Sequence, residues 1–361
     1  MVQDERLHDW TYFEVNRMAA GSSLALLPGA DTALAERVSL RMERVEERLR
    51  EVVATDDAMV TWTARHLMDA GGKRVRPLLT LLAGEIGAAE TGVAEPGESV
   101  VDAAVLVELT HLATLYHDDV MDDAPTRRGA STAHEVWSNS IAILTGDFLF
   151  ARASALSAHL GPDAVRTHAG TFERLCMGQL HETVGPSESA DPFAHYLEVL
   201  ADKTASLIAA AGDLGAMTAG GSAATRDALR AYGEKVGVAF QLADDVLDLR
   251  ADPAVSGKTP GTDLREGIPT MPTLLLRQRH ADGDASPSTD SLVAALDGDL
   301  SSDAVLDEVL DRLRSDPAVA ETQTMAEQMA RDAIDLLGPL PACPARDALA
   351  QLTMTLVQRD A

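Results

Sequence analysis

The chain has 361 residues, 46% of them hydrophobic, which is enough for a sizeable core. Its 57 acidic residues outnumber 30 Lys and Arg, and a formal net charge of −27 argues against a nucleic-acid partner, which requires clustered positive charge. Two cysteines, Cys176 and Cys343, exclude a disulfide framework by count and fit a reduced, cytoplasmic setting.

The opening residues, MVQDERLHDWTYFEV, are charged and lack the apolar core of a signal peptide. Residues 1–20 read as a flexible arm and 21–361 as one domain. Beyond the arm nearly everything reads as helix, with apolar residues three and four apart over 33–53, 58–70, 76–88 and 99–122. The same spacing recurs over 139–159, 163–184, 192–220 and 225–250, then over 270–279, 303–315, 319–337 and 344–358. Thr55-Asp56-Asp57 and Thr225-Arg226-Asp227 supply N-cap chemistry, while 89–97, 185–191 and 281–290 are polar connectors. Asp102, Glu108 and His111 interrupt the apolar run from Val100 to Tyr116, so it does not read as a membrane span. One all-α domain is the economical architecture.

One such helix ends in Asp118-Asp119-Val120-Met121-Asp122, and Asp244-Asp245-Val246-Leu247-Asp248 repeats the pattern. A chain this acidic produces such a pattern roughly once by chance. The setting is less ordinary, because each copy follows a nearly continuous apolar helix. Positions i and i+4 share a helix face, so Asp118 pairs with Asp122 and Asp244 with Asp248, about 6 Å apart along the axis. Carboxylates this close repel one another, and lowering them toward a core is costly without compensation. Solvated acidic helix ends are the plain alternative. A divalent cation is the compensation that fits, and hard all-oxygen ligands favour Mg²⁺, which completes its shell with water and phosphate oxygens. Two such clusters suggest a diphosphate bridged by Mg²⁺.

A diphosphate also needs cations. Residues 71–77, Gly-Gly-Lys-Arg-Val-Arg-Pro, form the densest basic cluster, with Lys73 and Arg76 spaced to project together and two glycines that free the backbone to approach a ligand. Arg127 and Arg128 follow the first acidic motif, and Lys258 follows the second. Lys203-Thr204 lies in a helical stretch and otherwise reads as an ordinary surface pair. His111, two turns before Asp118, reads by spacing alone as a core histidine.

These elements resemble the trans-isoprenyl diphosphate synthases, the polyprenyl synthetases. The matching segments are GGKRVRP at 71–77, ELTHLATLYHDDVMDDAPTRRG at 108–129, GDFLFARA at 146–153, KT at 203–204, FQLADDVLD at 240–248 and GKTPGTDLREG at 257–267. They span about two hundred residues in the family's order. The resemblance implies an antiparallel helical bundle around a deep central cavity, the isoprenoid synthase type I fold, working as a homodimer. It implies successive 1′-4 condensation of isopentenyl diphosphate onto an allylic diphosphate, with three Mg²⁺ ions per active site. Asp118, Asp119, Asp122, Asp244, Asp245 and Asp248 would hold the metal. Lys73, Arg76, His111 and Arg128 would hold isopentenyl diphosphate, and Arg127, Lys203, Thr204, Gln241 and Lys258 the allylic diphosphate. Where relatives continue Gly-Lys-x-Thr, residues 267–270 are Gly-Ile-Pro-Thr, so Ile268 removes one phosphate-binding cation.

Ala113 and Thr114, one turn below Asp118, are small where short-chain relatives carry an aromatic floor. An open tunnel predicts a long product, roughly 30–50 carbons by the family's range, stopped by Phe148 or Phe150. The alternatives are a geranylgeranyl or farnesyl diphosphate synthase, a class I terpene cyclase, and a non-catalytic subunit of a heteromeric synthase. A cyclase lacks the second acidic motif and the basic turn, and silent subunits have eroded acidic motifs. Release of a long lipid suggests transient membrane contact, although no strongly basic amphipathic helix is present.

Overall fold

The computed structural model describes residues 25–250, 260–283 and 286–358. The expected N-terminal arm and Lys258 lie outside the described residues. The chain divides into two compact units, one of Met1–Glu173, Leu207–Gly233 and Leu336–Leu352, the other of Arg174–Ser206, Glu234–Asp335 and Thr353–Ala361.

The first unit opens with α1 (Thr32–Val53), where the Asp31 carboxylate accepts the Leu34 N–H, and α2 (Ala58–Asp69), capped by Asp57. Leu34, Val38, Met42, Val45, Leu49 and Val53 form the buried stripe of α1 at three- and four-residue spacing. Next come α3 (Val75–Thr91) and α4 (Ser99–Met121), whose buried residues run round most of its circumference, making it a central core helix. A hairpin of β1 (Thr126–Arg127) and β2 (Ala130–Ser131) and a single turn, α5 (Ala133–Val136), follow it. Helix α6 (Asn139–Leu160) packs along α4, which also meets α1 and α3. By length and composition α4 and α6 are each apolar enough to cross a membrane. Within this unit α4 is largely buried, as a core helix is, whereas α6 leaves Ile143 and Leu144 exposed.

Helix α7 (Pro162–Val184) passes from the first unit into the second at Glu173–Arg174. The second unit continues through α8 (Pro192–Leu200) and a π turn (Ala201–Ala205), after which α9 (Ser206–Thr218) returns to the first. The helical spacing over 192–220 reads as one element, and the π turn is what interrupts it. Helix α10 (Ala223–Arg250) changes unit at Gly233–Glu234. At Gly237 it comes so near the π turn that a Cβ there would lie 2.3 Å from the Ala205 Cα. The second unit holds α11 (Thr262–Glu266), α12 (Met271–Ala281), α13 (Pro287–Leu296), α14 (Asp303–Arg314) and most of α15 (Pro317–Leu336). Its core joins Leu200, Ala205, Leu242 and Met271 to Ala326 and Ala330. Helix α13 overlaps the connector expected at 281–290, because Ser286 caps it and Pro287 fills the first-turn position where no N–H is needed. Helix α16 (Pro344–Val357) ends the described chain.

Candidate active site

The first acidic motif forms the last turn of α4. Asp118 is half-buried and Asp122 exposed, whereas Asp119 is 1% exposed. Beyond the helix, Asp123 and Arg128 take left-handed conformations, at φ 49° and 55°, which reverse the chain through the hairpin. The reversal brings Arg127 Nε to 2.6 Å from Asp119 Oδ1, an ion pair with one partner almost fully buried. The other carboxylate oxygen, Oδ2, is buried with no hydrogen-bond partner among the described residues. Burial pushes the Asp119 carboxyl above its usual range, and the Arg127 guanidinium opposes that.

In the same unit the basic turn sorts its cations by depth. Lys73 is exposed. Arg74, at φ 47°, is buried against Glu46 and Glu108. Arg76 is half-buried, with its Nε enclosed and without a hydrogen-bond partner. Arg128 donates to the carbonyls of Leu67, at 3.1 Å, and Gly71. Gly72 makes this possible, since a Cβ there would lie 2.8 Å from the Arg128 guanidinium carbon. The glycine pair therefore admits a side chain of the protein at Gly72, not only a ligand as its sequence suggests. Burial holds the His111 pKa well below the ordinary histidine value, reinforced by Arg76 and Arg128, so its imidazole is neutral at pH 7. Arg76, His111 and Arg128 thus form a partly desolvated positive cluster, suited to a polyanion.

In the second unit, Asp244 and Asp248 are half-buried on α10 and Asp245 is buried. The Asp245 carboxylate accepts hydrogen bonds from the Tyr196 hydroxyl and, at 2.9 Å, the Met271 N–H. Burial lifts its pKa from 3.8 to about 8 despite those donors. Its bonded oxygen ties α10 to α8 and α12, which the motif alone did not reveal. Lys203, in the π turn, pairs with Glu182 on α7. Thr204 beside it is buried, and Gln241 lies half-buried on α10 one turn before Asp244 and Asp245. Ile268 is half-buried, its N–H bonded to the Asp263 carbonyl at 2.9 Å.

Below the first motif Ala113 is fully buried and the Thr114 hydroxyl donates to its own helix at His111 O, 2.8 Å away. Phe150 packs against His117, ring centroids 5.7 Å apart, and against Phe172 at 4.1 Å. Phe148 instead lies beneath Arg152, whose guanidinium carbon is 4.9 Å from the ring. One turn lower, Thr110 and Ser154 approach the two nitrogens of the buried His168, at 3.5 and 3.4 Å. A cavity of about 640 Å³ lies at the opposite end of α4, beside Ser99, Asp102 and Thr218, and no expected site residue lines it. Its carboxylates are already engaged, Asp102 by Arg48 and Asp163 by Arg226.

The donor set of the two acidic motifs is all carboxylate, without sulfur or imidazole, and Asp119 keeps a buried oxygen without a hydrogen-bond partner. That composition fits a hard divalent cation. The family model described as Polyprenyl synthetase matches residues 57–311. The chain is 43% identical to a nonaprenyl diphosphate synthase of Mycobacterium tuberculosis, over 91% of this chain and 95% of that protein. It is 32% identical to an octaprenyl diphosphate synthase of Escherichia coli, over 88% and 96%. Among solved structures it resembles a polyprenyl synthase from Caulobacter crescentus complexed with calcium and isoprenyl diphosphate, with a TM-score of 0.80 and 33% identity over 91% and 97% of the two chains. A geranylgeranyl pyrophosphate synthase from Corynebacterium glutamicum aligns with a TM-score of 0.78 and 40% identity over 91% and 98%. An all-α chain with two carboxylate motifs, each accompanied by cations, thus carries the family's own pattern over most of its length, and the chain belongs to the polyprenyl synthetase family.

Proposed function

We propose that this prenyltransferase adds isopentenyl diphosphate repeatedly, through 1′-4 bonds, to an allylic diphosphate in a Mg²⁺-dependent reaction, and that its product is long-chain. The observation that carries the reading is that one chain holds two Asp-Asp-x-x-Asp motifs, one in each unit, and in the first unit the cluster of Arg76, His111 and Arg128. Asp118, Asp122, Asp244 and Asp248 would hold Mg²⁺, in the family's complement of three ions. Asp245, committed to Tyr196 with Met271, positions its neighbours, and Asp119, held by Arg127 through Oδ1, would add its remaining oxygen Oδ2 to the ion's ligands. When bound, Mg²⁺ supplies positive charge against the diphosphate that departs as the allylic C–O bond breaks.

Lys203, Thr204, Gln241, Arg127 and Lys258 bind the allylic diphosphate, and Lys73, Arg76, His111 and Arg128 the isopentenyl diphosphate. The neutral imidazole of His111 donates one hydrogen bond to a phosphate oxygen without adding charge. The isopentenyl double bond attacks the allylic carbon, and the departed diphosphate takes the proton that is lost. Apolar walls below Asp118 exclude water, which would otherwise quench the allylic cation. Ala113 and Thr114 leave room for the growing chain. Phe150, packed against Phe172, suits the floor better than Phe148, which is drawn toward Arg152.

Relatives named for nonaprenyl and octaprenyl products favour the long chain, while the geranylgeranyl synthase likeness carries the shorter-chain alternative. Exposed apolar residues in each unit taken separately, Ile143 and Leu144 on α6 in the first and Met177, Leu180 and Val184 on α7 in the second, support a homodimer that covers apolar surface. We place the enzyme in the cytoplasm, with transient membrane contact on product release. The test is an assay with isopentenyl diphosphate, each allylic primer in turn, and Mg²⁺ with EDTA controls, the products being sized by mass spectrometry.

A further inference from the structure

Outside the proposed site, a second group of ligating side chains gathers where α7 meets α8. One nitrogen of His181 on α7 and carboxylate oxygens of Glu198 on α8 and Asp202 in the π turn all lie within 4.8 Å of one another. Glu198 and Asp202 are four residues apart and share a face, so their charges repel when no cation lies between them. His195, three residues before Glu198, shares that face too, and its ring centroid is 6.3 Å from that of His181. Asp202 Oδ1 accepts a hydrogen bond from Arg174 Nε at 2.7 Å. A guanidinium on one oxygen leaves the other for an ion and fixes the carboxylate's orientation, as outer partners of metal ligands do.

We infer that His181, Glu198 and Asp202, completed by His195, form a second metal site, one for a borderline transition ion such as Zn²⁺ and not for Mg²⁺. Two imidazoles and two carboxylates make a four-ligand set of net charge −2, which a divalent ion neutralises. Nitrogen ligands select zinc, cobalt, nickel or copper over magnesium, the reverse of the preference of the all-oxygen aspartate motifs. Ligand atoms about 2.0–2.2 Å from one ion stand roughly 3.4 Å apart in a tetrahedron, so the three atoms of His181, Glu198 and Asp202, now within 4.8 Å of one another, close by up to about 1.4 Å, and the His195 ring, centred 6.3 Å from that of His181, turns in to complete the set. The ion ties α7 to α8 one residue from Lys203, whose own partner Glu182 is the residue after His181. Metal binding itself does not depend on the proposed catalytic function.

The test uses the full chain, freed of metal and then held in excess Mg²⁺ to occupy the aspartate motifs, and titrates it with Co²⁺ and separately with Zn²⁺. The site predicts one Co²⁺ per chain with visible absorption bands of nitrogen ligation, displaced by one equivalent of Zn²⁺. His181→Ala loses the bands, and Glu198→Gln, a change at an exposed residue, weakens binding at least about tenfold. Asp118→Asn and Asp244→Asn keep bands and stoichiometry unchanged. Absence of nitrogen-ligated Co²⁺ in the wild type overturns the inference, as does an unaltered spectrum in His181→Ala. Elongation activity is measured separately with Mg²⁺ alone, so failure of this site and failure of the catalytic reading are distinguishable.

Discussion

Arg74 Nη1 lies 2.8 Å from Glu108 Oε1, with the two side chains only 1% and 2% exposed, and the same guanidinium reaches Glu46 at 2.6 Å. This triad links α1, the turn before α3, and α4, the helix that carries the first acidic motif. Removing one partner of a buried pair leaves an uncompensated charge. Arg74→Met therefore lowers unfolding stability by about 3–5 kcal/mol in urea titration. Arg74→Lys recovers little, since an ammonium does not reproduce the planar fork. A loss below about 1 kcal/mol for Arg74→Met would show that the triad does not hold these helices together.

The folded-state pKa of Asp245, about 8, stands above its ordinary 3.8 because burial disfavours the charge. The folded protein thus binds the proton more tightly than the unfolded chain does. The stabilisation is complete below about pH 4 and is lost as pH rises toward 8. Asp245→Asn, which stays neutral while still accepting from Tyr196 and Met271, removes this dependence. Its melting temperature should change less between about pH 5 and 8 than that of the wild type, by a difference worth about 1 kcal/mol or more. Parallel curves for the two proteins would contradict the protonated assignment.

Thr114→Phe places an aromatic one turn below Asp118 and should shorten the product. Phe150→Ala, which removes the ring packed against Phe172, should lengthen it or broaden its distribution. Mass spectrometry of elongation products reads both changes. An unchanged distribution in Thr114→Phe would refute the tunnel, and one in Phe150→Ala would move the floor elsewhere.

Gly237→Ala puts a methyl 2.3 Å from the Ala205 Cα, a contact with backbone that no rotamer relieves. Forcing α10 away from the π turn should cost about 1–3 kcal/mol of stability. Because Lys203 and Thr204 sit in that turn, the variant should also raise KM for the allylic primer more than KM for isopentenyl diphosphate. Equal changes in both constants would argue against an allylic role for the turn.

Much of the fold was readable because long apolar periods mark helices directly, and α1, α4, α6 and α10 begin and end within a few residues of their patterns. Helix α13 was not, since its segment is small and polar and its start rests on Ser286 and Pro287 rather than on periodicity. The π turn was hidden for another reason, as one extra residue in a turn scarcely disturbs an apolar stripe and depends on how closely α10 approaches at Gly237. The acidic motifs were legible as charge placed after apolar helices. Their internal division was not, because the commitment of Asp119 to Arg127 and of Asp245 to Tyr196 depends on residues brought in from elsewhere. Arg74 shows the same limit. Among three cations within four residues, only burial distinguishes Arg74, which braces the core, from the exposed Lys73 and the half-buried Arg76.

The proposed reaction is Mg²⁺-dependent elongation to a long chain. Its most direct test is the purified chain with isopentenyl diphosphate, an allylic primer and Mg²⁺, with products sized by mass spectrometry. We predict a ladder in five-carbon steps that ends beyond roughly twenty carbons and vanishes with EDTA. A ladder ending at or below about twenty carbons would contradict the long-chain reading, and no elongation with any primer would contradict the assigned reaction.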